Sequence, residues 1–152
     1  MLKKSVCVMA FDFGMTRIGV AIGDSLLKIP HPIAVITGKN KFEKFAKIKE
    51  LVEKWQPTLF VVGIPIDEEE SNPIQNPDKV QLTINIKRFS NRLKEQFKLD
   101  VTLVNEEYSS VTAASKLNEQ RVYAENQKDK LDALAATVIL QRYFDEMKID
   151  VI

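Results

Sequence analysis

Three acidic segments, far apart in the chain, carry residue types that could do chemistry together. The first is Asp12-Phe13-Gly14-Met15-Thr16. Asp12 closes an apolar run, where its side chain can project past a sheet edge. Gly14 has no Cβ, so a backbone or a phosphate can approach it closely, and successive amides of such a turn can point at an anion. An aspartate here also suits a plainer role, stabilising its own turn. The second segment is Asn105-Glu106-Glu107-Tyr108-Ser109-Ser110. If the strand before it runs parallel to the first and near it, Glu106 or Glu107 emerges at the same edge as Asp12, where open α/β sheets tend to build their sites. The alternative is solvated charge ahead of a helix, with Ser109 or Ser110 as its N-cap. The third segment is Lys130-Leu131-Asp132-Ala133-Leu134-Ala135-Ala136. On a helix, Asp132 shares a face with Ala135, Ala136, Ile139 and Tyr143, which would aim a carboxylate inward and let the helix lie close to the sheet. The competing reading makes Asp129 the N-cap and Asp132 an acid favoured by the helix dipole.

Taken together, Asp12, Glu106 and Asp132 supply hard oxygen ligands, and no His or Cys cluster offers a softer site. Such ligands suit Mg2+ or Mn2+, which keep several waters for substrate oxygens. A pair of these ions can activate a water and stabilise a leaving oxygen in phosphodiester cleavage.

The elements that must position these acids follow from hydrophobic period. Residues 6–13 and 18–22 are apolar runs joined by a short Gly-containing connection, which predicts a hairpin. Residues 32–37 form a third strand, and Pro30 and Pro32 suit an edge position. Phe45, Ile48, Val52 and Trp55 then recur at helical spacing over 41–55, and Pro57 stops that helix. Residues 59–64 are continuously apolar, as in a buried parallel strand. Residues 65–77 read as a polar, proline-punctuated loop. Leu82, Ile86, Phe89, Leu93 and Phe97 stripe a long helix, and 101–104 is the next strand. A short helix near 111–117 and a longer one from about 130 to 146 complete the chain. The order βββαβαβαα implies an α/β fold with a mixed five-stranded sheet: an antiparallel meander, then parallel strands, flanked by helices.

Bulk properties narrow the class. The 152 residues fit a single domain, 1–152, with a core that needs no disulfide or structural metal. A hydrophobic fraction of 45% beside 28% charged residues matches a soluble globular protein. No apolar run approaches the roughly 20 residues that span a bilayer, and no signal peptide is evident. The single cysteine, Cys7, cannot form an internal bridge, which points to a reducing, cytoplasmic setting. Its apolar neighbours predict a buried, inert thiol. With a net charge of +1, any hold on phosphates must come from local clusters. Lysines crowd 39–49, and lysines and arginines crowd 87–98; both read as solvated helix faces. Arg121, Lys128 and Lys130, ahead of Asp132, are better placed as phosphate contacts. His31 reads as structural and Trp55 as core.

At the three acidic segments the chain resembles the YqgF-type family, described as Holliday junction resolvases and as pre-16S ribosomal RNA nucleases. The resemblance spans the chain: Asp12-Phe13-Gly14 with Arg17-Ile18-Gly19-Val20-Ala21, Gly63-Ile64-Pro65, Glu106, and Asp132-Ala133-Leu134-Ala135-Ala136 with Ile139-Leu140-Gln141. It implies a ribonuclease H-like fold, a metal-binding triad of Asp12, Glu106 and Asp132, and Arg17 as a phosphate contact. Gly14, Thr16, Ser109, Ser110 and Lys130 complete the expected substrate contacts. The implied activity is endonucleolytic cleavage of structured RNA, such as a pre-16S ribosomal RNA, with branched DNA as the second substrate.

The chain also departs from that family. Glu107 stands where the family has arginine, and Ser109-Ser110 replaces a Thr-Thr pair. Glu107 removes a cation and adds an anion beside the site, and Asp67-Glu68-Glu69-Glu70 adds more negative charge. These features fit a weakened or specialised member, or a binding module in ribosome maturation or transcription that has lost cleavage. A third reading comes from Asp-x-Gly-x-Thr, which resembles the phosphate loop of actin-like ATPases. Those enzymes clamp nucleotide between two such domains, and this chain supplies one. The sequence gives no oligomeric state.

Overall fold

A computed structural model describes residues 5–65, 77–106 and 125–147. Their elements are β1 (Cys7–Phe13), β2 (Arg17–Asp24), β3 (Pro30–Thr37), α1 (Lys41–Trp55), β4 (Leu59–Ile64), α2 (Pro77–Phe97), β5 (Val101–Asn105) and α3 (Glu125–Glu146). The five strands form one sheet in the order β3-β2-β1-β4-β5. β1, β2 and β3 pair antiparallel, while β1 with β4 and β4 with β5 pair parallel. The expected mixed sheet is therefore present. β3 lies at its edge, the position in a sheet where prolines such as Pro30 and Pro32 are tolerated.

Alternation along β1 sends successive side chains to opposite faces. Met9 and Phe11 face α1 and α2, in a core shared with Phe45, Ile48, Ile86, Phe89 and Leu93. Val8 and Ala10 face α3, in a core shared with Ala136, Ile139, Leu140 and Phe144. The first core is aromatic: the Phe11 and Phe89 rings meet edge-on at 5.5 Å, and Phe60 lies 5.7 Å from Phe97. The second is built from small residues on the sheet side, so α3 lies close. A Cβ on Gly23 would stand 2.7 Å from Phe144 Cε2, and one on Gly63 would stand 2.5 Å from Ile139 Cδ1.

These two contacts also orient α3. Gly23 pairs with Val8 near the start of β1, whereas Gly63 follows Val62, the partner of Phe11 near the end of β1. Phe144 sits at the first and Ile139 at the second, so α3 runs against β1 with its N-terminal half toward the carboxyl ends of β1, β4 and β5.

Three expectations change. The last helix begins at Glu125, not near residue 130, so Asp129 is interior rather than an N-cap; the stretch Glu125-Asn126-Gln127-Lys128 contains no Gly or Pro to stop it. β5 is parallel to β1, as the site argument required, but β4 stands between them. Asp12 lies inside β1, opposite Gly19 of β2, instead of projecting beyond the sheet. The short helix near 111–117 and most of the loop at 65–77 fall outside the described residues. Among the described residues no helix is long and apolar enough to cross a membrane.

Candidate active site at the carboxyl edge of the sheet

Asp12 shares the alternating set of Val8 and Ala10, so its carboxylate is directed to the α3 face. It is 9% exposed, a rare degree of burial for aspartate, and it engages a partner. Continuing the parallel register by one residue from Phe11 opposite Val62 brings Asp12 alongside Gly63. Neighbouring strands are about 4.8 Å apart.

Glu106 arrives from the other side of β4. Its amide donates to the Ile64 carbonyl at 2.8 Å, extending the β4–β5 ladder one residue past β5. Its carboxylate then leans back over β4: Oε2 lies 3.0 Å from where a Cβ on Gly63 would stand. Gly63 separates Asp12 from Glu106 and offers no side chain to keep them apart. The space a Cβ would fill is taken up by Ile139 and the Glu106 carboxylate.

Asp132 lies on α3, seven residues before Ile139 and so about 10 Å nearer the N-terminus along the helix axis. The direction of α3 carries that segment past Gly63 toward the carboxyl edge. Its side chain, like those of Glu107, Ser109, Ser110, Arg121, Lys128 and Lys130, lies outside the described residues. Among the described residues no group of three His, Cys, Asp or Glu side chains could hold a metal ion. The described portion of the expected triad is thus two carboxylates, Asp12 on β1 and Glu106 just past β5, on either side of the β4 residue Gly63.

The β1–β2 turn forms the lip of this edge. A Cβ on Gly14 would stand 2.7 Å from the Arg17 carbonyl oxygen, so the close approach that glycine permits is taken up by the turn's own backbone. Thr16 is exposed and Arg17 half-buried. Lys44 of α1 donates to the Met15 carbonyl at 2.7 Å, and Asn85 of α2 donates to Met15 Sδ at 3.3 Å. Two helices from the far face therefore fix the turn that follows Asp12.

Two residues at this edge were not foreseen. Arg142 of α3 donates to the Asn105 carbonyl, tying α3 to the end of β5 immediately before Glu106. Lys79 is only 4% exposed near the start of α2, and it too engages a partner. Because Phe89 packs on Phe11 and Phe97 on Phe60, α2 runs against the strands and Lys79 lies at their carboxyl end. Neither announces itself in sequence: Arg142 looks like helix-surface charge, and Lys79 sits among polar residues.

Elsewhere the side chains fit plainer roles. Trp55 packs, partly buried, against the aromatic core. Cys7 is half-buried rather than buried as expected, because it opens β1, and burial, with Asp24 adding to it, pushes its thiol above the ordinary range.

A central β1 with its acid at the carboxyl end, a β1–β2–β3 meander and flanking helices define a ribonuclease H-like domain. The Thermus thermophilus RuvC chain, solved with a Holliday junction substrate, shares this fold at a TM-score of 0.50, with 12% identity over 94% of this chain and 96% of that one. The model of the RuvX family, described as Holliday junction resolvase, matches residues 6–146, and this chain belongs to that family. A relative from Chromobacterium violaceum is 46% identical over 141 residues, 91% of this chain and 96% of its own. Another from Neisseria meningitidis serogroup C is 43% identical over 137 residues, 90% of this chain and 86% of its own. Both are named, provisionally, as pre-16S rRNA nucleases.

Proposed function

We propose that this chain is a divalent-metal-dependent endonuclease for structured nucleic acid, with pre-16S ribosomal RNA as its first substrate. The observation that carries the reading is the approach of the Glu106 carboxylate to the Gly63 backbone beside buried Asp12. The donor set fits Mg2+ or Mn2+: carboxylate oxygens at the edge where the fold can admit a phosphate, with Asp132 as the third acid. When bound, such an ion supplies an activated water and stabilises the departing oxygen.

The chain's own residues do the rest. Asp12, fixed in a strand and buried, orients without rearrangement. Gly63, without a side chain, lets Ile139 and the Glu106 carboxylate close in beside it. Arg17 follows the lip at the start of β2 and is suited to a phosphate oxygen, with Thr16 and the Gly14 turn beside it. Ser109, Ser110 and Lys130 are assigned as further substrate contacts. Glu107 opposes the phosphate backbone and sets a lower affinity than an arginine there would give. The setting is the cytoplasm, in ribosome biogenesis, and the unit is one nuclease domain spanning 1–152.

A second substrate is favoured by the RuvX description and by the fold shared with a junction-bound resolvase. The deciding experiment incubates the chain with pre-16S precursor and with a four-way DNA junction in Mn2+. Cutting of the precursor in preference to the junction is expected. Cutting of the junction alone would reassign the substrate, and cutting of neither would leave a binding module.

A further inference from the structure

Basic residues that look like two solvated helix faces in the sequence converge in three dimensions. A cleft of about 550 Å3 opens between α1 and α2, with Phe13, Phe45 and Phe89 in its lining. Lys41, Lys44, Arg88 and Arg92 surround it, four cations against the one carboxylate of Glu95. Arg92 lies 5.6 Å over the Phe45 ring, so its guanidinium is held at the wall. The cleft continues past Lys41 and Arg92 into a groove that includes Phe42. Phe42 is 83% exposed, an aromatic ring left in solvent beside cations.

The other end of the cleft is Met15, 65% exposed and three residues beyond Asp12. The turn that borders the acidic edge therefore also borders this cleft on the opposite face of the sheet. A strand crossing the turn away from the acids would meet cations first and an open aromatic ring next. Cationic grooves paired with exposed aromatics are how proteins hold single strands, through phosphate contacts and sequence-tolerant base stacking. A duplex is too stiff to follow such a path around a turn.

We infer that the α1–α2 cleft binds a single-stranded segment of nucleic acid flanking the cleavage point, with Lys41 and Arg88 on phosphates and a base stacked on Phe42. That the bound segment flanks the cleavage point rests on the nuclease reading; strand binding rests on the cleft alone. RNA and DNA share the phosphates and bases that would be recognised.

The test measures fluorescence anisotropy of labelled single-stranded RNA, and of DNA of the same sequence, in metal-free buffer with the full chain. Variants are Phe42→Ala and the double Lys41→Glu/Arg88→Glu, all at exposed positions. Wild type is expected to bind at least one strand type. Phe42→Ala is expected to weaken that binding about fivefold or more. The double variant should weaken it further and flatten the salt dependence by about two phosphate contacts. On a substrate with a single-stranded flank, both should raise KM and leave kcat unchanged. No strand binding by wild type, or variants that bind as wild type does, would overturn the inference. Strand binding lost in the variants, from a wild type that cuts nothing, would support the cleft and count against the nuclease reading alone.

Discussion

The carboxylate of Glu106 occupies the border of the space that a side chain on Gly63 would need: Oε2 lies 3.0 Å from that Cβ position. The same position is 2.5 and 2.9 Å from Ile139. Gly63→Ala must therefore displace Ile139, Glu106 or both. We expect a loss of about 1–3 kcal/mol in urea-unfolding stability. Cleavage per folded molecule should fall on the order of 10- to 100-fold, because a misplaced carboxylate costs rate out of proportion to energy. Full activity in a destabilised Gly63→Ala would mean that Ile139 alone moved or that Glu106 has no catalytic part, and loss of cleavage in Glu106→Gln would decide for the first.

Gly14 and Gly23 separate site from scaffold. A Cβ on Gly14 meets the Arg17 carbonyl at 2.7 Å, backbone that cannot turn aside, in the lip beside Asp12. On Gly23 it meets the Phe144 ring at 2.7 Å and the Ile29 carbonyl at 3.1 Å, at the opposite end of β1. Both Gly→Ala variants should lose about 1–3 kcal/mol. Only Gly14→Ala should lower kcat. Equal kcat for the two, measured well below their melting temperatures, would remove the turn from the site.

Much of this was legible because period and burial agree. Phe45, Ile48 and Val52 mark α1, and the apolar run at Leu59–Ile64 marks a strand buried on both faces. What escaped depends on contacts between residues distant in sequence. Gly63 is one glycine in an apolar run, and its meaning comes from Glu106 and Ile139 closing over it. Arg142 and Lys79 carry no local signal of what they touch. The cations of α1 and α2 look solvated along each helix alone, since a cleft belongs to the pair of helices.

Glu107, read from the sequence resemblance as a departure from a family arginine, has its side chain outside the described residues. Glu107→Arg should strengthen binding to pre-16S RNA several-fold and steepen its salt dependence by about one phosphate contact. Filter binding across a salt series measures both. Unchanged affinity and slope would place residue 107 away from the bound phosphates.

The Cys7 thiol is pushed up mainly by burial, with Asp24 second. Native chain should therefore react with iodoacetamide more slowly than unfolded chain at pH 8, since less thiolate is present. The unfolded thiol ionises first as pH rises, so the stability linked to Cys7 is complete below its ordinary value and is lost as pH climbs through the raised native one. Cys7→Ser should abolish that alkaline component in melts followed above pH 8. Equal labelling rates in native and unfolded chain would show the thiol to be open to solvent.

Calorimetric titration of Mn2+ into wild type, Asp12→Asn, Glu106→Gln and the double variant tests the proposed carboxylate centre most directly. Each single variant should lose about tenfold or more in affinity, with circular dichroism unchanged. The double variant should lose less than the two single effects combined, as expected when two groups serve one ion. Wild-type affinity in either single variant, or fully independent losses, would contradict a common cation held between Asp12 and Glu106.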